Sequence, residues 1–405
     1  MAKEAQTSIP HLFRCPISLD LFTDPVTLTT GQTYDRPSIE QWLAAGNSTC
    51  PVTMQNLAGG ATTSLVPNHT LRLLIHRWLL PAACRRNSHH DAGAASGISV
   101  SLSILKSCLQ SSDALSPAKL EALTKVQILS TESDVGRSLL IQMGFFPILL
   151  QIVFRPPWPE NMEVAELALD CLLRLSPPTL VNSLCFLKQD AAFSSMALLL
   201  EQGSAKIKTG ICLLLETATD EDLCFLLGKS RRVMMVLISF LQSREQSQAA
   251  EAAAGIIDAV CSAEATDRVN AVRDGAVEAL VSFLSMGVRR NAARALAAME
   301  VLMGTEIGRK TAARGGAVKV MVQWVFKVPA GDEGSEHAVG ALTAVCSGSA
   351  RARAEAVAAG GVMQALLLLQ SQCSVGTRGK AMALLKVLRG CGGRESGKPD
   401  LQHGN

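Results

Sequence analysis

The chain has 405 residues, 48% hydrophobic and 18% charged, which is enough apolar material for a large core and excludes intrinsic disorder over most of its length. Lys and Arg total 38 against 35 Asp and Glu, a formal charge of +3, which excludes a domain whose affinity comes from neutralising phosphates. Mean hydropathy is +0.24, yet the longest apolar stretches, such as 233–241, fall far short of the ~18 residues that a membrane span needs. The first residues form no apolar signal segment, and position 2 is Ala, so no myristoylation signal is present. The protein is expected to stay inside the cell, in the cytoplasm and also the nucleus.

Up to about Leu80 the text is irregular and implies a small mixed domain. Asp24-Pro25 opens the run Val26-Thr27-Leu28-Thr29, Thr30-Gly31 offers a turn, and Gln32-Thr33-Tyr34 returns as the second strand of a hairpin. Asp35 can cap a helix with Pro37 in its first turn; Ile39, Trp42 and Leu43 then share a face before Gly46-Asn47 stops it. A second helix follows Pro67-Asn68, with Asn68 as its cap and Leu71, Leu74, Ile75, Trp78 and Leu79 on one stripe, and ends at Pro81. Domain boundaries fall at 8–81 for this part, 82–98 for a polar, small-residue linker read as flexible, 99–391 for a helical array, and 392–405 for a disordered tail. His89 and His90 sit in the linker, where polar filler outweighs metal binding because no third ligand is near.

Beyond residue 99 the helical text repeats. Gly275-Ala276-Val277, Gly316-Ala317-Val318 and Gly361-Val362-Met363 each introduce an apolar run, at steps of 41 and 45 residues. An earlier match begins at Gly144, and two intermediate units share Cys185-Phe186-Leu187 and Cys224-Phe225-Leu226 instead. A second recurring motif is rich in alanine, as in 249–254, 292–296, 337–342 and 380–385, and small residues at those spacings let helices approach closely. Glycine at the unit junctions fits a sharp turn. The twelve cysteines are scattered, with no two separated by just two residues, and most of those beyond residue 100 read as small buried hydrophobes. Arg268, Arg273, Arg309, Lys310, Arg314, Arg351 and Arg353 recur near the junctions, either as a strip for an acidic partner or as cations at helix ends.

The array resembles armadillo repeats, with HEAT repeats as the less specific neighbour, and the resemblance implies an α-solenoid with a concave partner-binding groove. In the first 80 residues, Cys15-Pro16-Ile17-Ser18-Leu19-Asp20, Gly31-Gln32-Thr33-Tyr34-Asp35-Arg36, Ile39-Glu40-Gln41-Trp42-Leu43, Cys50-Pro51-Val52-Thr53 and Pro67-Asn68 run in the order of the U-box. Together they resemble the short class of plant U-box ubiquitin ligases, with a fold that is mainly α: a small, zinc-free, RING-like α+β domain followed by the solenoid. Two zinc sites would need about eight Cys or His ligands, and this region offers Cys15, Cys50, His11, His69 and His76.

Hydrogen bonds must then replace the metal, and Ser18, Asp20, Asp35, Arg36, Glu40, Gln55 and Asn68 are placed to supply them, with Tyr34 as a core ring with a bonded hydroxyl. The resemblance implies that a ubiquitin-charged conjugating enzyme sits on Ile17, Leu19, Trp42 and Pro51, with Met54 where many relatives carry a basic residue. Taken alone, Ile17 reads equally as core, and Trp42 as mainly core. No catalytic nucleophile, metal or cofactor is assigned; nucleic acid and a membrane span are not expected, a protein substrate on the repeats is, and self-association is left open. Plant immune or stress signalling leading to protein degradation is what the family suggests; the rival reading is a non-enzymatic armadillo scaffold with a degenerate U-box.

Overall fold

The structure is a computed structural model and describes residues 8–57, 64–81, 98–111, 116–154, 162–175, 184–217, 220–243, 248–287, 292–326 and 333–389. The linker up to residue 97 and the tail at 392–405 lie outside them. The chain divides into two compact units, Met1–Ser195 and Met196–Asn405.

The N-terminal unit opens with a three-stranded sheet in the order β2-β1-β3. Strand β1 (Pro25–Thr27) pairs antiparallel with β2 (Thr33–Asp35), with Val26 opposite Tyr34, so the hairpin lies where the sequence put it. Gly31, at φ 80°, makes the turn. On its other edge β1 takes β3 (Val66–Pro67), two exposed residues with no alternation to announce them. Helix α1 (Arg36–Ala44) buries Ile39 and Leu43 and stops at Gly46, φ 86°. Asp35 holds its N-cap position, but its carboxylate turns away from the helix to the backbone of Thr23 and Asp24. Helix α2 (His69–Leu79) is capped by Asn68, whose side chain accepts the Leu71 N–H at 2.9 Å. Its core stripe is Ile75, His76, Trp78 and Leu79; Leu74, expected on it, is 49% exposed, and the polar His76 replaces it because Ser101 supplies a hydrogen-bond partner.

Helices α3 (Ile98–Gln110), α4 (Ser116–Glu132), α5 (Asp134–Gln142), α6 (Phe145–Phe154) and α7 (Met162–Leu175) continue this unit, followed by a 3-10 turn at Leu184–Lys188 that carries the first Cys-Phe-Leu motif. The domain rests on the first of these helices. Lys125 Nζ lies 4.3 Å from the ring centre of Trp78, which meets Phe13 edge-on at 5.8 Å, and His76 Nδ1 bonds Ser101 Oγ. The linker expectation covered the chain between the two parts and did not anticipate these contacts.

After α8 (Asp190–Gln202) and α9 (Ala205–Glu216), the C-terminal unit repeats a three-helix pattern. The first set is α10 (Glu221–Lys229), α11 (Arg231–Gln242) and α12 (Gln248–Ala263); the second α13 (Ala265–Arg273), α14 (Ala276–Ser285) and α15 (Ala292–Met303). The third is α16 (Glu306–Arg314), α17 (Ala317–Trp324) and α18 (Glu333–Gly348); the fourth α19 (Ala350–Ala358), α20 (Gly361–Gln370) and α21 (Val375–Arg389). The second Cys-Phe-Leu motif lies on α10. The three junction glycines have φ of 94° at Gly275, 73° at Gly316 and 87° at Gly360, where a side chain would be strained. The last of these corrects the sequence alignment, which chose Gly361. That residue already lies inside α20, and a Cβ on it would meet the Ala356 carbonyl at 2.8 Å.

Capping explains three of the recurrent arginines. Arg268 donates to the carbonyls of Cys261 and Ser262, Arg309 to those of Met303 and Gly304, and Arg353 to those of Cys346 and Ser347. Each short helix thus satisfies the open carbonyls of the long helix before it, and Arg137 does the same for Ser130 in the N-terminal unit. The helix-end reading holds for these positions. Cys108, Cys171, Cys212, Cys224, Cys261 and Cys346 are buried and outside any disulfide, as read; Cys185 is exposed, and Cys373 is half-buried.

Candidate functional site

Two loops of the N-terminal domain share one backbone design. In the first, Cys15 N–H bonds the Asp20 carbonyl at 2.8 Å and Leu19 N–H bonds the Cys15 carbonyl at 2.8 Å. In the second, Cys50 N–H bonds the Gln55 carbonyl at 2.9 Å and Met54 N–H the Cys50 carbonyl at 2.9 Å. The flanks pair antiparallel in both, Arg14 with Leu21 and Thr49 with Asn56. Leu19 (φ 60°) and Met54 (φ 57°) are the non-glycine residues with left-handed backbone among those described, one at the same point of each loop. Such strain persists only where surrounding bonds over-determine it.

The cysteines opening the loops are fully buried and tied down by hydrogen bonds. Cys15 Sγ accepts the Asp35 N–H at 3.3 Å. Cys50 Sγ meets the Thr30 hydroxyl at 3.4 Å and the Tyr34 hydroxyl at 3.0 Å, and Tyr34 Oη in turn accepts the Val52 N–H at 3.2 Å. Burial pushes the Cys50 thiol up, but the bonds from Thr30, Thr53 and Tyr34 together outweigh it and bring it down to about 6. Burial, aided by the bond to Cys50, raises the Tyr34 phenol far above its ordinary value, so it stays protonated, the bonded core ring expected of it.

A polar frame joins the loops to the sheet. Asp35 accepts from Thr23 N–H at 2.8 Å, Thr23 Oγ1 at 2.7 Å and Asp24 N–H at 2.7 Å. Asp24 takes Arg36 Nε at 2.6 Å and the Arg72 guanidinium, and the Asp24 bond raises the Arg36 pKa further. Glu40 reaches Arg36 at 3.6 Å from the exposed side of α1. Asn68 donates to Thr27 Oγ1 at 3.3 Å and Thr33 Oγ1 at 3.2 Å while it caps α2. Ser18 Oγ accepts the Asp20 N–H at 3.4 Å, and exposed Gln55 enters the frame through its carbonyl. Sequence reasoning missed Thr23, Asp24, Thr27, Thr33 and Arg72. The signal for Asp24 was present, since an Asp before a proline cannot continue a helix and faces a turn.

Both loops expose apolar side chains. Leu19 is 69% exposed, Met54 71% and Val52 51%, with Ile17, Pro51 and Trp42 half-buried. Trp42 is fixed by its indole N–H to the Thr49 carbonyl at 2.9 Å, and Asn47 Nδ2 bonds the Trp42 carbonyl at 2.9 Å. The five residues read as a binding surface are thus exposed or half-buried on the two loops and α1, as is Val52, which that reading left out.

A second polar surface runs along the long helices of the C-terminal unit. Glu300 on α15 bonds His337 Nδ1 at 2.7 Å and Lys380 Nζ at 2.8 Å, and Lys380 reaches Glu336 at 3.3 Å. Arg294 meets Glu216 at 3.5 Å. Glycine makes the room for these charges. A Cβ on Gly340 would lie 1.9 Å from Glu300 Oε1, and one on Gly255 2.9 Å from the Arg294 guanidinium.

Comparison with known proteins agrees with both halves. Residues 9–82 match the family described as U-box domain, and residues 101–391 the family described as Plant U-box protein ARM repeat region. U-box domain-containing protein 25 of Arabidopsis thaliana is 33% identical over 398 residues, covering 94% of this chain and 91% of its own length. U-box domain-containing protein 26 of the same plant is 34% identical over 397 residues, covering 94% and 92%. The Arabidopsis E3 ubiquitin-protein ligase PUB23 is 28% identical, covering 95% and 93%. Among solved structures, a chain from a study of the cadherin and beta-catenin interaction superposes with a TM-score of 0.61 at 14% identity, covering 79% of this chain and 58% of that one. An engineered protein gives 0.56 at 19% identity, covering 87% and 79%; both likenesses concern the fold.

Proposed function

The chain belongs to the plant U-box proteins with an armadillo-repeat region, and from that membership we propose that it is a ubiquitin-protein ligase that docks a ubiquitin-conjugating enzyme on its two paired loops. The observation that carries the reading is that two loops of one backbone design each hold apolar side chains out into water, Leu19 on the first and Val52 and Met54 on the second, on a hydrogen-bonded base. An exposed apolar cluster on a rigid base is the form of a partner site.

Cys15 and Cys50 are buried and hydrogen-bonded, which supports transfer without a covalent intermediate on the ligase. The ubiquitin arrives as a thioester on the conjugating enzyme, and the ligase contributes orientation and effective concentration toward a substrate lysine. The repeats hold the protein substrate on their long-helix surface, in plant immune or stress signalling, from the cytoplasm and the nucleus; this part of the reading rests on the family.

The test is autoubiquitination and thioester discharge by the purified full chain with a panel of conjugating enzymes. Activity with at least one is expected, and Leu19→Asp abolishes it without lowering the melting temperature, because the side chain is mostly in water. Inactivity with every enzyme, in a folded chain, favours the scaffold with a degenerate U-box.

A further inference from the structure

The turn between α4 and α5 reaches from the repeats into the first of the paired loops. Glu132, the last residue of α4, accepts the Ile9 N–H at 2.9 Å and pairs with the Arg14 guanidinium, and both charged side chains are only 24% exposed. The same guanidinium donates to two carbonyls, Glu132 O at 3.3 Å and Leu19 O at 3.3 Å. On the far side of Leu19, Asp20 divides its carboxylate. Its Oδ1 accepts the Leu21 N–H at 2.7 Å and its Oδ2 the Val135 N–H at 3.0 Å, in the first turn of α5. Ser133 caps the next open amide of that turn, Gly136 N–H, at 2.8 Å, so Asp20 and Ser133 satisfy neighbouring donors of one helix start.

Leu19 is therefore held from both sides by groups anchored in the first repeat. Its left-handed backbone is strained for a residue with a Cβ, and the surrounding bonds must supply the restraint. The second loop has Thr49 in the place of Arg14, with no guanidinium to reach outward. We infer that the turn from Glu132 to Val135 of the first repeat is a positioning element of the conjugating-enzyme site, acting through Arg14 and Asp20 to hold Leu19 at the angle the partner meets. Glu132 is a positioning residue that touches no reacting atom. The inference rests on the proposed function and extends it, since the repeats then shape the enzyme-binding end as well as holding the substrate.

The experiment measures discharge of ubiquitin from the charged conjugating enzyme to free lysine by the full chain, over a range of conjugating-enzyme concentrations. Glu132→Ala raises the KM for the charged enzyme several-fold and leaves kcat unchanged at saturation. Glu132→Gln, which keeps the acceptor for Ile9 but loses the ion pair, moves KM in the same direction with the fold intact. Glu306→Ala, an exposed carboxylate of α16 with a side chain 73% in water, leaves KM where it was. The exchange of charges, R14E with E132R, separates positioning from docking: the pair is restored, but the carbonyls of residues 19 and 132 have lost their donor and Ile9 N–H its acceptor. The expected result is a recovered melting temperature with KM still raised. An unchanged KM in the Glu132 variants, or recovery of KM together with stability in the exchange, overturns the inference while the ligase reading stands. A wild-type chain that discharges no conjugating enzyme overturns both.

Discussion

Leu19 and Met54 show how two short loops can each raise one apolar side chain into water on a strained backbone. The strain is tolerable because each loop is closed by bonds at its base, and the exposed side chain is thereby held in a fixed direction. The family resemblance implies a basic residue at position 54, and the Met54 thioether offers no hydrogen-bond donor. Met54→Arg is expected to raise thioester discharge several-fold, because a guanidinium offers several donors in a fixed fork. Single-turnover discharge to free lysine checks it; an unchanged rate, with Gln55→Ala lowering it, would assign the role to the exposed Gln55. The apolar residues of this surface were legible in the sequence through the two Cys-Pro-x-[Ser/Thr] segments. The polar frame was legible only in part. Asp35 was visible as a helix cap and is instead spent on Thr23 and Asp24, because a local cap competes with three donors that only the folded hairpin brings near.

At the scale of the element, the long helices combine small residues with charges that use the space those residues leave. Glu300 lies over Gly340, and its bonds to His337 and Lys380 tie α15, α18 and α21 together. The bond to Glu300 raises the His337 pKa against the effect of burial, with Asp258 adding to the rise and Lys380 opposing it. Burial raises Glu300, but its bonds to His337 and Lys380 outweigh this and lower it below the ordinary value. The signs follow by linkage. The His337 contribution is complete below about pH 6.5 and is lost as pH rises through the higher folded value; the Glu300 contribution is lost as pH falls through its lowered one. Gly340→Ala gains ~1 kcal/mol of helix propensity and displaces the Glu300 carboxylate. NMR titration should then find the His337 midpoint lowered, because the largest contribution that raises it is lost, and a midpoint that stays high would show that Glu300 finds another path. The repeat period was readable from glycine spacing, but the register at Gly360 was not, because two adjacent glycines fit the pattern and only backbone geometry selects the one with positive φ.

At the scale of the molecule, the contacts between the U-box and the first repeat join residues that lie far apart in the chain, 123 positions for Ile9 and Glu132 and 115 for Asp20 and Val135. No local pattern announces such pairs, which is why two separate folds were legible in the sequence and the seam between them was not. The seam has a consequence for the repeats, since their first helices lean on Trp78 and His76 of α2 through Lys125 and Ser101. Solenoid repeats are stabilised mainly by their neighbours, so loss of a terminal neighbour should weaken the adjoining helices and fade along the array. A fragment starting at Ser99 is therefore expected to show faster amide exchange in α3, α4 and α5, while α15, α18 and α21 keep the protection they have in the full chain. The comparison is made by hydrogen exchange on both proteins under one condition. Equal protection in α3 to α5 would mean that the repeats stand without the U-box; the exchange of Val135 N–H is the sharpest single reporter, because Asp20 is its acceptor and the fragment lacks it.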